Sequence, residues 1–97
     1  MARYVSLLKW TDQGIRGVKE TVSRAQAARR AFEAAGGRFV DVYWTLGEHD
    51  VVLIFEAPED ETAMRLVLSL GTKGNVRSTT MRAFGEAEMG RIVEQVQ

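Results

Sequence analysis

Apolar side chains recur along this chain with two periods, and the switches between them predict a mixed α and β fold. Tyr4 to Trp10 (Tyr-Val-Ser-Leu-Leu-Lys-Trp) is rich in aromatic and β-forming residues and reads as a strand. Thr11-Asp12-Gln13-Gly14 stops it, with Thr11 or Asp12 placed to cap a short helical turn over Ile15 to Val18. Val22, Ala25, Ala28, Phe32 and Ala35 then fall at three- and four-residue steps, the stripe of a long helix. Its alanines are small, which suits close packing against a sheet. Gly36-Gly37 ends this helix, because glycine takes the left-handed cap conformation without steric cost.

Arg38 to Leu46 reads as a second strand, with Val40, Val42, Trp44 and Leu46 on one face and Phe39, Asp41, Tyr43 and Thr45 on the other. Gly47-Glu48-His49-Asp50 is a short connection to a third strand, Val51 to Phe55, and so short a gap predicts an antiparallel hairpin. Ala57-Pro58 breaks that strand. Pro58-Glu59-Asp60-Glu61 opens a second helix, whose stripe is Ala63, Leu66, Val67 and Leu70 and whose end is Gly71. Val76 to Phe84 is a fourth strand. Met89, Ile92, Val93 and Val96 mark a short amphipathic helix over Glu86 to Val96.

The order β-α-β-β-α-β predicts an α+β, ferredoxin-like domain over residues 1–97, with both helices on one face of a four-stranded antiparallel sheet. The opposite face should then be polar if it met water. Its expected occupants are Tyr4, Ser6, Leu8 and Trp10, then Phe39, Tyr43 and Thr45, then Val52, Ile54 and Glu56, then Ser78, Thr80 and Arg82. Too many of these are large and apolar. A second copy packed sheet against sheet would cover them, so a homodimer is expected, with the terminal helix able to join dimers into larger rings.

Several short stretches, in order, resemble the GYD-domain proteins. They are Tyr4-Val5 through Trp10-Thr11-Asp12-Gln13-Gly14-Ile15, Gly36-Gly37, Gly47-Glu48-His49-Asp50-Val51, Glu56-Ala57-Pro58-Glu59-Asp60, and Gly74-Asn75-Val76-Arg77 through Arg82-Ala83-Phe84. The likeness spans about residues 4–85. It implies membership of the dimeric α/β-barrel superfamily, with the same fold and a sheet-to-sheet dimer. His49 stands where the name-giving motif usually has tyrosine. Relatives across the superfamily include cofactor-free monooxygenases, haem proteins, lactone isomerases and ligand-sensing regulator domains, so the resemblance implies a barrel and leaves its chemistry open.

Composition then narrows the functions. Thirteen Lys and Arg balance thirteen Asp and Glu in 97 residues, which argues against a general binder of nucleic acid or acidic membrane. There is no cysteine and no apolar run long enough to span a membrane, so a cytoplasmic protein is expected. The neutrality is a sum of unlike halves: residues 1–40 hold eight bases and three acids, and residues 41–97 hold five bases and ten acids.

Candidate chemistry centres on the sheet face. Glu56 and Arg82 would form an acid or base and an anion clamp, flanked by Tyr4, Ser6, Tyr43, Thr45, Ser78 and Thr80 as ligand-binding residues. Asp50 joins Glu56 on the same side by alternation. His49, the only histidine, lies between Glu48 and Asp50, where turn chemistry competes with acid–base work. No metal site or cofactor is expected; haem held by His49 is the alternative. The leading expectation is a protein that binds a small organic molecule, anionic or aromatic, in the barrel interior or in the cleft between sheet and helices, with a sensing, carrying or regulatory role. The alternatives are a cofactor-independent enzyme using Glu56, Asp50 or His49 as acid or base, and a purely structural assembly module.

Overall fold

The structure, a computed structural model, describes residues 1–97. Strand β1 (Ala2–Trp10) is followed by a short helix α1 (Asp12–Arg16), a 3-10 turn (Val18–Glu20) and helix α2 (Thr21–Ala34). The hairpin of β2 (Arg38–Trp44) and β3 (Val51–Ala57) comes next, then α3 (Asp60–Thr72), β4 (Val76–Ala83) and α4 (Glu86–Glu94). All strand pairings are antiparallel and the sheet order is β2-β3-β1-β4. This is the ferredoxin-like α+β arrangement the pattern predicts.

The core lies between the sheet and the helices α2 and α3. Phe32 of α2 and Phe55 of β3 are fully buried and meet edge to face at 5.0 Å, with Phe39 edge-on to Phe32 at 4.9 Å. Tyr4 stacks on Phe55 at 5.1 Å, and Leu53, Ala57, Ala63 and Leu66 complete the cluster. Aromatic pairs at these separations contribute beyond the area they bury.

Opposed residues on neighbouring antiparallel strands share a face. Tyr4 opposes Phe55 and Arg82, Ser6 opposes Leu53 and Thr80, and Leu8 opposes Val51 and Ser78. All of these therefore lie on the helix side, which corrects the expectation that Tyr4, Ser6, Leu8, Ser78, Thr80 and Arg82 line the open face. The cause lies in β1, where both alternating sets are apolar, so alternation does not mark the buried one. Ser6 is wholly buried without cost because its hydroxyl pairs with that of Thr80.

In β2 the register shifts between Phe39 and Asp41, a bulge at Val40. The bulge puts Phe39 on the helix side together with Val42 and Trp44, and leaves Asp41 and Tyr43 on the open side. Phe39 is thus a core residue rather than part of the open face. The open face carries Val5, Leu7, Val52 and Ile54 down its middle, with Tyr43 and Met81 beside them.

Tight joints hold one end of β1. Thr11 donates its hydroxyl to the Gly74 carbonyl and accepts from the Gly14 amide. Gln13 donates to the Lys73 carbonyl and to the Asn75 side chain, both at 2.9 Å. The Asp50 carboxylate accepts from the Trp10 amide at 2.9 Å, while the Asp50 amide donates to the Leu8 carbonyl at 2.8 Å. These bonds weld α1, the α3–β4 turn and the hairpin loop to one end of β1.

Candidate functional site

Two regions of the molecule have the makings of a site, and the sheet separates them. The first is the open face. At one end Glu56 receives Arg3 at 3.1 Å and Arg38 at 3.1 Å, one on each carboxylate oxygen. Burial alone would raise the Glu56 carboxyl, but the hydrogen bond from Arg3 and the charges of Arg38 and Arg3 outweigh it and hold the group below its ordinary value. Glu56 is therefore a fixed anion between two guanidinium groups.

Arg82 is on the other side of the sheet, so the expected Glu56–Arg82 pair does not form. Its guanidinium lies over the rings of Phe84 at 4.5 Å and Tyr4 at 5.8 Å and reaches Glu88 at 3.5 Å. The Glu88 carboxylate also accepts from the Gly85 amide, and that bond, with the nearby Arg82, holds its carboxyl below the ordinary value despite some desolvation. Tyr4 donates to Asp60 at 2.6 Å; burial first, then this bond and the Asp60 charge, push its hydroxyl up to about 12. These residues tie β4, α4 and the start of α3 together.

The acid–base candidates do not converge either. Asp50 and Glu56 lie at opposite ends of β3, about 20 Å apart at the usual rise per residue. Asp50 is engaged with the Trp10 amide. His49 supplies its carbonyl to the Thr45 hydroxyl at 2.7 Å, so Thr45 is a turn residue and not a barrel wall. No three His, Cys, Asp or Glu side chains gather closely enough to hold a metal ion.

The second region is a cleft on the helix side that borders the phenylalanine cluster, with Phe39 in its lining. It has a volume of about 140 Å³ and runs between α2 and the sheet. Leu8, Val51 and Leu53 form its floor, Ala25 and Ala28 its roof, and Trp10 and Trp44 stand in its walls. The Trp44 indole donates to the Thr21 hydroxyl at 3.0 Å, which fixes one wall to the start of α2. The cleft exists because α2 turns alanines toward the sheet there. The expectation of close packing fails at this point: a methyl group does not reach across the gap that Phe32 fills one helical turn on.

Two cations, Arg24 and Lys73, border the cleft, and no acidic residue lines it. Arg24 donates to the carbonyls of Gly17 at 2.8 Å and Gly14 at 3.3 Å. A cleft between sheet and helices is one of the two places the sequence offers for a ligand, but the strand pattern does not give its lining. The signal was the run of small residues on the inner face of α2 opposite two tryptophans.

The architecture is thus that of a small antiparallel-sheet protein with helices on one face, an uncovered apolar face on the other, and an apolar cleft beneath a helix. The chain belongs to the GYD domain family, whose model matches residues 4–93. It is 29% identical over 90 residues, 92% of this chain and 95% of the relative, to a Thermus thermophilus protein named glutamine synthetase and cystathionine β-lyase binding protein. Its fold is similar to that of a crystal structure, also from Thermus thermophilus, that is 22% identical, with a TM-score of 0.55 over 88% of this chain and 95% of that one. No helix is long and apolar enough to cross a membrane.

Proposed function

We propose that this chain is a small cytoplasmic binding protein that acts as one domain. It pairs with a second copy of itself through the open sheet face and holds a small organic ligand in the cleft under α2. Its role is sensing, carriage or regulation directed at protein partners. The observation that carries the reading is the apolar strip of Val5, Leu7, Val52 and Ile54, which runs down the two central strands with no element of the chain across it. Strips of this kind on central strands are covered in folded proteins, and a two-fold partner covers one with its own copy.

Two further features support it. The Thermus relative carries the name of a protein that binds two enzymes, which favours a partner-binding role over a catalytic one. Glu56, two residues along β3 from Ile54, is neutralised by two arginines, which suits an interface rim better than proton transfer. The exposed apolar side of α4, with Met89, Ile92 and Val93, offers a surface on which dimers would join further.

Sedimentation equilibrium at micromolar concentration tests the association. The expected result is a species of twice the 10.8 kDa chain mass, reduced to 10.8 kDa by Ile54→Lys with the circular dichroism unchanged. A wild-type mass of 10.8 kDa contradicts the proposal.

A further inference from the structure

We propose that the cleft under α2 is selective for a small carboxylate with a compact apolar body, such as a single aromatic ring or a branched chain of similar bulk. The proposal rests on the reading of the cleft as a ligand site and adds the chemistry of what it takes. Size comes first. An apolar cavity of about 150 Å³ accommodates one benzene ring, and this cleft has about 140 Å³. Its walls supply two indoles for ring contact, and its floor and roof are aliphatic.

Charge sets the second requirement. Arg24 is half-buried beside this apolar surface and has no carboxylate within ion-pair distance. Two backbone carbonyls occupy part of its donor fork, which locks the guanidinium in place. Five N–H donors on that fork leave several unspent. A half-buried cation without a counter-ion leaves its charge unbalanced, and an anion entering the cleft would pair with it. Lys73, at the end of α3, lies on the same cleft and adds to the positive field without an acid to oppose it.

The apolar lining limits the anion to a small one. A phosphate ester takes its affinity from an array of N–H donors, as at glycine-rich helix starts, whereas here one guanidinium and one ammonium border the cleft. A carboxylate needs only the fork of one arginine. The cleft therefore matches a ring or short branched chain inside and a single carboxylate at the Arg24 end.

Both tryptophans of the chain line the cleft, so intrinsic emission reports its occupancy directly. The probes are benzoate, benzamide, benzylamine and phenyl phosphate, titrated at neutral pH. The expected result is a saturable emission change with benzoate at least about tenfold tighter than with benzamide, as one charge-assisted hydrogen bond confers. Benzylamine should leave the emission unchanged, and phenyl phosphate should bind more weakly than benzoate. Arg24→Gln should bring benzoate to the benzamide level while benzamide affinity stays the same, which also shows that the variant is folded. Lys73→Gln, on the exposed side of the cleft, should weaken benzoate in the same direction and serves if the first variant does not fold. Equal binding of benzoate and benzamide, or tighter binding of phenyl phosphate, overturns the carboxylate selectivity and leaves the cleft as a site. No emission change with any probe overturns the ligand site itself and the selectivity with it.

Discussion

Gly14 has no room for a side chain. A β-carbon built there would lie 2.0 Å from the Asn75 carbonyl oxygen, with the Asn75 backbone held in turn by the Thr11 amide. Neither backbone can move without breaking the joint at the end of β1. Gly14→Ala should destabilise the fold by about 1–3 kcal/mol, the usual cost of overpacking, seen as a melting temperature lower by several degrees. An unchanged melting temperature would mean the joint is loose. Glu56 gives a prediction in pH. Its folded carboxyl is held below the ordinary 4.5, so its contribution to stability is complete above that value and is lost as pH falls through the lower, folded one. Glu56→Gln should therefore melt below the wild type at pH 7, by on the order of 1 kcal/mol for so accessible a pair of arginines, and the gap should close as the pH falls below the folded carboxyl's lowered value. A gap that persists in acid would show that the charge of Glu56 is not what Arg3 and Arg38 stabilise.

Among the elements, α2 both seals part of the core and leaves a gap. Phe32 closes the core at one end, and the alanines one and two turns earlier leave the cleft open. Ala25→Leu should fill part of that space and raise the melting temperature, a cavity-filling gain of about 0.5–2 kcal/mol, while displacing any bound ligand. A fall of the same size would mean that the helix needs its alanines to sit where it does. The elements themselves are legible in the chain because their periods are clean; Gly36 takes positive φ, 83°, at the end of α2 as expected, whereas α3 runs through Gly71 to Thr72 and the positive φ, 82°, falls at Gly74. The hairpin connection was also legible, but Asp50 does not cap its own turn: its carboxylate accepts from the Trp10 amide across on β1. The faces were not. Tyr4 and Leu8 compete with Val5 and Leu7 for the core on equal terms, and Ser6 reads as polar until Thr80 is placed beside it. A single bulge at Val40 reverses Phe39 relative to Tyr43, and no residue pattern announces it. The proposed open-face site of Tyr4, Ser6, Thr80 and Arg82 dissolved for this reason, while Glu56 and Tyr43 kept their side of the sheet.

For the whole molecule, the balance of thirteen bases and thirteen acids conceals local fields. Arg29 and Arg30 are exposed on α2, with Arg29 lying over the Phe39 ring at 5.1 Å, and Glu59, Asp60 and Glu61 are exposed at the start of α3. Most of the split is thus spent in solvent. Two places keep it: the cationic cleft, and the Arg3–Glu56–Arg38 bridge at the rim of the open face. The two faces of one sheet are proposed to do different work, one joining protein to protein and the other holding a small molecule. Native mass spectrometry of the protein purified from its own host examines both at once. The account predicts an ion of twice the 10.8 kDa chain mass that releases a small organic acid on gentle activation. A bare ion of 10.8 kDa, with no released mass, would contradict it.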